Sequence, residues 1–250
     1  MNLVSLVIPC YNESDNIPLL LERCAELFRK QPIEIVIVDN GSTDNTSSVL
    51  DELTSLYPFV TKVKVEENQG YGHGITEGLR SASGEILAWT HADMQTDPVD
   101  ILRGLELFDK TDCQDRLFVK GRRYGRPLGD IVFTVGMAIF ETILLGKLMW
   151  DINAQPTMFH RSFIEKWVEP PKDFSLDLYA YYMAKKSGYV VKRFPVLFDE
   201  RVHGTSHWNV NFSAKYKFIK RTLAYSFALG RKVSINAQDS SPDQYKRSVN

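Results

Sequence analysis

The chain of 250 residues is long enough for one large domain, or for a domain with a short appendage. Its net charge of -1 argues against a general nucleic-acid-binding protein, and 44% hydrophobic with 24% charged residues is typical of a soluble globular chain. Cys10, Cys24 and Cys113 have neither metal-binding nor redox spacing, which favours a reducing compartment. The N-terminus lacks the positive segment of a signal peptide, so we interpret its apolar run as a strand.

The first half of the chain alternates strand and helix patterns. Apolar, β-branched runs predict buried strands, and apolar residues at helical spacing predict helices between them. The predicted strands cover residues 3–9, 33–38, 60–65 and 85–89, and the predicted helices cover residues 16–28, 44–56 and 70–82. Asp97 followed by Pro98 predicts the start of a further helix with Asp97 as its N-cap. This alternation predicts an α/β fold with a mostly parallel central sheet and helices on both faces.

The second half is less regular. It predicts strands over residues 118–121 and 190–198, and helices over residues 161–168 and 176–186. Pro195 has no backbone N–H to donate to a neighbouring strand, so we expect the last strand at an edge of the sheet.

Two segments of the second half have the character of membrane-binding helices. The apolar stretch 131–150 contains Glu141 and Lys147, which argues against a membrane span and leaves an interfacial helix or a pair of core helices. Residues 201–238 contain seven Lys or Arg and no Asp or Glu. Four apolar side chains recur there at helical spacing: Tyr216, Ile219, Leu223 and Phe227. We therefore predict a basic amphipathic helix, followed by a polar, disordered tail over residues 239–250.

Polar clusters follow three of the predicted strands, at residues 11–13, 39–42 and 91–93. In open α/β sheets, ligands bind beyond the carboxyl ends of parallel strands. The three clusters are therefore expected to meet at one edge of the sheet and to form a ligand site there. Gly70, Gly72 and Gly74 do not have dinucleotide-binding spacing, and we interpret them as positions of close backbone approach.

Three motifs carry a resemblance to a known family: VIPCYNE at 7–13, VDNGSTD at 38–44 and HADMQ at 91–95. They resemble the family 2 glycosyltransferases of GT-A fold, and among these the dolichyl- and polyprenyl-phosphate mannose synthases and related polyprenyl-phosphate sugar transferases. Further matches are NQGYG at 68–72, GRRY at 121–124, FSLDL at 174–178, PV at 195–196 and RVHGTS at 201–206. The resemblance covers roughly residues 3–210. We therefore expect a transferase domain over residues 1–210, the basic amphipathic helix over 211–238 and the tail over 239–250.

The resemblance implies a nucleotide-diphosphate sugar donor, a divalent cation, Mg²⁺ or Mn²⁺, and an inverting transfer. The implied donor-binding residues are Pro9, Tyr11, Glu13, Asp39, Asn40, Asn68, Gly72 and Asp93. The implied cation ligands are Asp93 and Gln95, with His91 as a further candidate. The implied catalytic residues are Asp93, Asp177, Arg122 and Arg201, of which the two arginines would receive the acceptor phosphate.

The chain departs from the family pattern at three positions. His91 stands where the family usually has Asp, and a neutral imidazole either ligates Mn²⁺, and less readily Mg²⁺, or holds Asp93 or a phosphate. Asn40 stands where the family pattern often has a second Asp. The nucleotide base of the donor therefore stays open between guanine and uracil. His207 replaces a common lysine and would bind an acceptor phosphate only when protonated.

The chemical group of the acceptor, phosphate or hydroxyl, distinguishes two hypotheses for the function. An acceptor phosphate is anionic and needs no general base, whereas a hydroxyl acceptor would need one, and Asp177 is where it would stand. Arg123, Arg126 and Lys192 are further cations that could pair with phosphate.

The favoured function is transfer of a hexose, with mannose preferred, to a polyprenyl or dolichyl phosphate by a peripheral enzyme on the cytoplasmic membrane face. One alternative is a glycosyltransferase with a sugar hydroxyl acceptor in cell-surface glycan synthesis. A second is a nucleotide-sugar-binding protein without turnover. The sequence does not indicate an oligomeric state.

Overall fold

The computed structural model describes residues 3–199, 201 and 219–231. The strands are β1 Val4–Cys10, β2 Glu34–Asn40, β3 Val60–Val65, β4 Ile86–Trp89, β5 Leu117–Tyr124, β6 Thr157–His160 and β7 Val190–Leu197. The α-helices are α1 Ile17–Lys30, α2 Thr46–Thr54, α3 Tyr71–Ser81, α4 Ile101–Asp109, α5 Leu128–Leu145, α6 Ser175–Lys186 and α7 over residues 219–231. Short 3₁₀ helices cover Pro98–Asp100, Gln114–Arg116 and Arg161–Lys166.

The seven strands form one sheet in the order β3-β2-β1-β4-β6-β5-β7. Neighbouring strands are parallel except at β6, which runs antiparallel to both β4 and β5. Because β6 reverses direction, β5 again runs in the direction of β1, β2 and β4. The carboxyl ends of these four strands therefore share one side of the sheet, which we call the carboxyl edge. The mostly parallel sheet confirms the predicted α/β fold.

The centre of the sheet is buried on both faces because helices cover both. Leu6 and Ile8 of β1 contribute to one apolar layer, and Val7 of the same strand contributes to the other. Asp97 caps the helix that follows it, because its Oδ1 accepts from the Val99 N–H at 2.9 Å. β7 ends the sheet, which confirms the edge position expected from its proline.

Three local predictions in the second half differ from the structure. β6 is absent from the predicted elements, because Thr157 and His160 leave it without the continuous apolar run that predicts β4. β5 continues three residues past its predicted end, because β7 pairs with it through Tyr124. Residues Arg161–Lys166 form a 3₁₀ helix in place of the predicted α-helix.

The apolar stretch 131–150 forms one helix, not a pair. α5 ends at Leu145, where Gly146 adopts a left-handed conformation with φ of +62°. Only three of its residues, Ala138, Glu141 and Leu145, are buried. Among the described residues, α5 alone is long and apolar enough to cross a membrane, by length and composition only.

The described part of the predicted basic amphipathic helix follows the predicted stripe in part, because Ile219 and Leu223 are partly buried. α7 buries Ser226 and Leu229, whereas Phe227 of the predicted stripe is half exposed. The reason is that α7 packs on α5, where Ser226 donates to Glu141 and Phe227 contacts Phe140 edge-on. Other sequence predictions lie outside the described residues: Tyr216, the RVHGTS residues 202–206, His207 and the tail 239–250.

Candidate active site

The loops that follow β1 and β2 are joined through Asn12. Its Oδ1 accepts from the backbone N–H groups of Thr43 (2.8 Å) and Asp44 (3.3 Å), and its own backbone N–H donates to Ser42 Oγ (3.2 Å). Asn12 has φ of +56°, a left-handed conformation that asparagine adopts more readily than most residues. The first two polar clusters of the sequence therefore meet at the carboxyl edge.

Asp39 and Asn40 end β2 and are almost fully buried. Asp39 Oδ1 accepts from the Ser42 N–H at 3.1 Å, and Asn40 Nδ2 donates to the Gly70 carbonyl at 3.0 Å. Asn40 Oδ1 has no partner among the described residues. A Cβ at Gly74 would lie 2.8 Å from the Asn40 amide, so only glycine lets α3 approach the sheet this closely. The close packing of α3 thus fixes the position of the Asn40 side chain.

The remaining predicted donor-binding residues lie along the same edge of the sheet and differ in their exposure to solvent. Pro9, Tyr11 and Glu13 are half-buried, and Asn68 is exposed. Burial raises the pKa of Glu13 above its ordinary value. Gly72 is buried, and a Cβ there would meet the backbone that precedes α6 at 2.3 Å. Gly72 is therefore a position of close packing between α3 and that backbone.

The loop after β4 places Asp93 and Gln95 side by side. Asp93 is 6% exposed, and its Oδ1 accepts from the Gln95 N–H at 3.2 Å. Its Oδ2 lies 2.8 Å from the Arg201 guanidinium. Met94, between the two, has φ of +58°, and Gln95 Nε2 donates to the Asp199 carbonyl at 3.2 Å. Backbone strain of this kind concentrates at functional sites.

These groups fit the divalent cation that the resemblance implies. Nucleotide-bound Mg²⁺ typically takes one or two carboxylates and completes its shell with phosphate oxygens and water. Asp93 supplies a carboxylate, and Gln95 donates through Nε2, so its Oε1 is the oxygen that a cation would take. No group of three or more His, Cys, Asp or Glu suited to a metal occurs in the described part of the chain. The protein therefore offers a partial shell, as a donor-borne cation requires.

His91 is held in a stack of aromatic rings. Tyr71 lies between His91, at 5.4 Å between ring centroids, and Phe174, at 4.6 Å. Burial lowers the pKa of His91 below its ordinary value, which favours the neutral imidazole near pH 7. A neutral ring is competent as a ligand, so both roles predicted for His91 stay open.

Asp177 lies in the first turn of α6 within a buried polar network. Its Oδ1 accepts from Gln155 Nε2 at 2.7 Å and lies 3.7 Å from the Lys120 ammonium group, and its Oδ2 has no partner among the described residues. Burial lowers the pKa of Lys120 to about 8, and burial raises the pKa of Tyr71. Asp177 is 1% exposed, so the residue predicted as a base is enclosed by protein.

The basic residues at the end of β5 separate into two groups. Arg123 Nε donates to Asp151 at 2.8 Å, and Arg126 lies 3.7 Å from the same carboxylate. Burial alone would raise the pKa of Asp151, but the two arginines hold it below its ordinary value. The predicted phosphate contacts of Arg123 and Arg126 are therefore already taken by Asp151. Arg122 is exposed, and Lys192 is half-buried.

A small pocket opens between α5, α6 and α7. Its apolar lining includes Phe133, Met137, Ile152, Leu178 and Ile219. Arg123 and Phe174 line the pocket too, and Phe174 belongs to the ring stack that holds His91. Glu141 also lines it; burial raises the pKa of this carboxyl to about 7, although Ser226 donates to it. The pocket thus joins the carboxyl edge to the apolar face of α5.

The profile of the family described as Glycosyl transferase family 2 matches residues 5–168. The chain belongs to this family.

Curated relatives of this family 2 glycosyltransferase are undecaprenyl-phosphate 4-deoxy-4-formamido-L-arabinose transferases. One from Pectobacterium atrosepticum is 30% identical over 230 residues, which cover 87% of this chain and 63% of the relative. One from Pectobacterium carotovorum subsp. carotovorum is 36% identical over 230 residues, with the same two coverages. The chain thus spans less than two thirds of the length of these relatives. Their names confirm the resemblance to polyprenyl-phosphate sugar transferases.

Solved structures confirm the GT-A fold. A mannosyltransferase from Pyrobaculum calidifontis in complex with GDP-Man and Mn²⁺ superposes with a TM-score of 0.67 at 21% identity, covering 92% of this chain and 64% of that one. Glucosyl-3-phosphoglycerate synthase from Mycobacterium tuberculosis in complex with uridine-diphosphate superposes with a TM-score of 0.67 at 14% identity. That match covers 92% of this chain and 80% of that one. At these identities the likeness concerns the fold alone.

The sequence analysis of this family 2 member missed the residues that support the candidate site. Gln155, Asp151 and Lys120 belong to none of the motifs that predicted the site. A usable signal existed for Lys120, because it directly follows the apolar residues Leu117, Phe118 and Val119 of a buried strand. A lysine inside such a run needs a partner in the core.

Proposed function

We propose that this glycosyltransferase moves a sugar from a nucleotide-diphosphate donor to a polyprenyl phosphate at a membrane surface. The acceptor would be of the undecaprenyl kind that the relatives' names carry. The observation that carries the proposal is the position of Arg122. It lies exposed near the end of β5, on the carboxyl edge with the donor loops, and shortly before the exposed apolar helix α5.

The donor nucleotide would lie across the ends of β1 and β2. Asp39 and Asn40 are buried hydrogen-bonding groups at the end of β2, and Asn40 Oδ1 has an unused acceptor among the described residues. Pro9, Tyr11 and Glu13 would line the base and ribose from β1. Asn68 would contact the nucleotide from the loop before α3, and Gly72 would act by letting α3 pack closely.

Asp93 and Gln95 would hold Mg²⁺ or Mn²⁺ on the donor diphosphate, with His91 beside them. When bound, such a cation supplies positive charge that offsets the charge growing on the nucleoside-diphosphate leaving group. The choice between the two cations depends on whether His91 ligates, because imidazole suits Mn²⁺ better than Mg²⁺.

The acceptor phosphate would attack without a general base. One of its oxygens forms the bond to the anomeric carbon while the bond from that carbon to the donor diphosphate breaks, which inverts the configuration. Arg122 and Arg201 would place the phosphate, since guanidinium groups bind phosphate in bidentate fashion. Arg201 already lies at Asp93, beside the proposed cation position.

α5 and the polyprenyl chain would meet the membrane together. Large apolar side chains of α5 are exposed to solvent: Leu128, Ile131, Val132, Phe133, Ile139 and Ile143. Lys147 follows α5, and Lys220 and Arg231 lie exposed on α7, which packs along it. This arrangement of apolar and cationic groups fits an anionic lipid surface. We place the enzyme on the cytoplasmic face as a peripheral protein, with the basic segment 211–238 as its second contact.

The pocket beneath α5 would receive the first isoprene units of the acceptor. Its lining is mainly apolar, and Arg123 and Phe174 connect it to the carboxyl edge. A prenyl chain placed there would end at the carboxyl edge beside Arg123, the neighbour of Arg122 in β5.

Two other functions receive less support. A hydroxyl acceptor would need Asp177 as a base, and that carboxylate is enclosed and bonded to Gln155. A binding protein without turnover would need the donor residues but no acceptor site. Arg122, the proposed acceptor-phosphate residue, is present and exposed, which favours transfer.

Donor screening comes first in the test. GDP-mannose, UDP-glucose, UDP-N-acetylglucosamine and a nucleotide-linked 4-deoxy-4-formamido-L-arabinose are compared by thermal shift, each with and without Mn²⁺. The resemblance favours mannose, and the relatives' names favour the formamido-arabinose. The correct donor stabilises the protein by about 2.7 kcal/mol at a hundredfold excess over Kd.

Transfer is then measured with that donor, Mn²⁺ and undecaprenyl phosphate. We expect a lipid-linked sugar, and we expect Arg122→Ala to raise the KM for the lipid phosphate about tenfold, the loss of a charge-assisted hydrogen bond. Arg116→Ala, an exposed cation at the opposite end of β5, serves as the matched control and leaves KM unchanged. Absence of lipid-linked sugar with every donor would refute the proposal.

A further inference from the structure

Lys120 and Asp177 form a buried ion pair beneath the carboxyl edge. Lys120 is 0% exposed and Asp177 1%, with 3.7 Å between Nζ and Oδ1. The same Nζ donates to Thr157 Oγ1 at 2.6 Å. Replacing a buried ion pair with apolar residues is often neutral or stabilising, because both charges lose their hydration on burial. Stability therefore does not explain why a lysine occupies this strand.

The ion pair is connected to the ring stack at the donor site. Gln155 Nε2 donates to Asp177 Oδ1 at 2.7 Å and lies 3.4 Å from the Tyr71 hydroxyl. Tyr71 in turn lies against the ring of His91, two residues before Asp93. Four segments of the chain thus meet at one network: β5, the segment leading into β6, the first turn of α6 and the first residue of α3.

Lys120 is the positive charge of this network. The other charged groups that act on it are Asp177 from α6, Asp151 from the segment after α5, Arg193 from β7, and Arg123. Arg123 is bonded to Asp151, and Arg193 donates to the Gly121 carbonyl at 2.7 Å. Neither arginine forms an ion pair with Asp177 among the described residues, so Lys120 alone balances that carboxylate.

We propose that Lys120 is a positioning residue for sugar transfer, acting through Asp177 and Gln155 on Tyr71 and hence on the ring that carries His91. Its charge orients the Asp177 carboxylate, and that carboxylate fixes the Gln155 amide against the Tyr71 hydroxyl. The inference rests on the proposed transferase function. It assigns no chemical step to Lys120, because the ammonium group is buried away from the carboxyl-edge loops.

A pH dependence follows from the same contacts. Lys120 has a pKa of about 8, chiefly because of burial, so kcat is expected to fall as the pH rises through that value. The Asp177 carboxylate then loses its counter-charge and the network loosens. A lysine with a purely structural role would leave the shape of the kcat–pH profile unchanged.

The test compares Lys120→Met with Lys62→Met. Lys62 is a matched control, because it also lies in a strand and pairs with a carboxylate, Asp51, at 2.7 Å, but far from the carboxyl-edge network. We expect Lys120→Met to lower kcat at least tenfold, to change the KM for the donor less than twofold, and to abolish the alkaline fall near pH 8. Lys62→Met should keep the wild-type profile.

Thr157→Val keeps the inference testable if Lys120→Met does not fold. The valine removes the hydroxyl that accepts from the ammonium group, so the charged form of Lys120 is less stabilised and the alkaline fall should move to lower pH. Lys120→Met with unchanged kcat and an unchanged alkaline fall would overturn the inference, as would an unshifted profile in Thr157→Val. Wild-type protein that makes no lipid-linked sugar at any pH would instead refute the proposed function.

Discussion

Arg201 and Asp93 form an ion pair, with 2.8 Å between the guanidinium Nη2 and the carboxylate Oδ2. Asp93 is buried and Arg201 is about a quarter exposed, so the arginine shields a carboxylate that would otherwise lack a counter-charge. The proposed cation and the arginine are both attracted to the same oxygen atom. We therefore propose that donor binding and acceptor binding are coupled at this one carboxylate.

We predict opposite effects of Arg201→Ala on cation binding and on transfer. A partly exposed pair contributes about 1 kcal/mol, so loss of the competing arginine should tighten Mn²⁺ binding in the absence of donor about fivefold. Transfer should fall at least tenfold, because the acceptor phosphate loses a guanidinium partner. Paramagnetic resonance of free Mn²⁺ measures the first effect, and product formation at saturating donor the second. Arg122→Ala is the control, with impaired transfer and unchanged Mn²⁺ affinity; weaker Mn²⁺ binding in Arg201→Ala would contradict the coupling.

Substitution of His91 separates its two predicted roles. Asparagine keeps the position neutral and removes the imidazole, so Mn²⁺ affinity should change less than twofold if His91 only supports Asp93 through its stack on Tyr71. His91→Asp adds a carboxylate and should tighten Mg²⁺ binding about tenfold, since hard cations prefer carboxylate oxygen. Calorimetric titration with each cation measures both. A large loss of Mn²⁺ affinity in His91→Asn would make His91 a ligand.

The sequence predicted that the polar loops meet at the carboxyl edge, but it did not predict the buried network beneath them. Asp39, Asp93 and their loops follow strands whose apolar pattern is local, so their meeting at the carboxyl edge follows from parallel topology alone. The apolar run before Lys120 indicated that this lysine is buried but not which groups it contacts, because Thr157 lies in the unpredicted strand β6 and Asp177 in α6. Thr157 is 37 residues away from Lys120 in the chain.

The buried face of α7 was unpredictable for a related reason. Helical spacing of apolar residues indicates the buried face of a helix that packs on an apolar surface. α7 packs on α5 next to Glu141, a carboxyl that takes its hydrogen bond from Ser226. The polar residue Ser226 is therefore fully buried in this contact, and Phe227 beside it contacts Phe140 while it stays half exposed.

Glu141 should make the protein less stable as the pH rises. Burial raises its pKa in the folded state from 4.5 to about 7, so between these values the folded state binds more protons than the unfolded state. The free energy of unfolding therefore decreases as the pH rises from 4.5 to 7 and stays low above that range. Glu141→Gln removes the ionisation, keeps an acceptor for Ser226 and should stabilise the protein at pH 8 by at most about 3 kcal/mol.

Thermal unfolding across this range tests the prediction. The variant and the wild type should unfold at similar temperatures near pH 4.5 and diverge as the pH rises. Glu106→Gln, on the exposed surface of α4, is the control and should follow the wild-type curve. A constant difference between Glu141→Gln and wild type at all pH values would contradict a titration of Glu141.

Membrane binding through α5 is expected to depend on its exposed apolar face. Ile139 and Ile143 are 56% and 78% exposed, so glutamate at both positions should not disturb the fold. Moving both side chains into a lipid interface contributes about 3 kcal/mol, so the double variant should bind vesicles about a hundredfold more weakly. Flotation with phosphatidylglycerol-containing vesicles measures this, with Leu56→Glu as a control at an exposed leucine remote from α5 (69% exposed). Wild-type and control protein should float with the vesicles while the double variant sediments, and equal flotation of all three would place the membrane contact elsewhere.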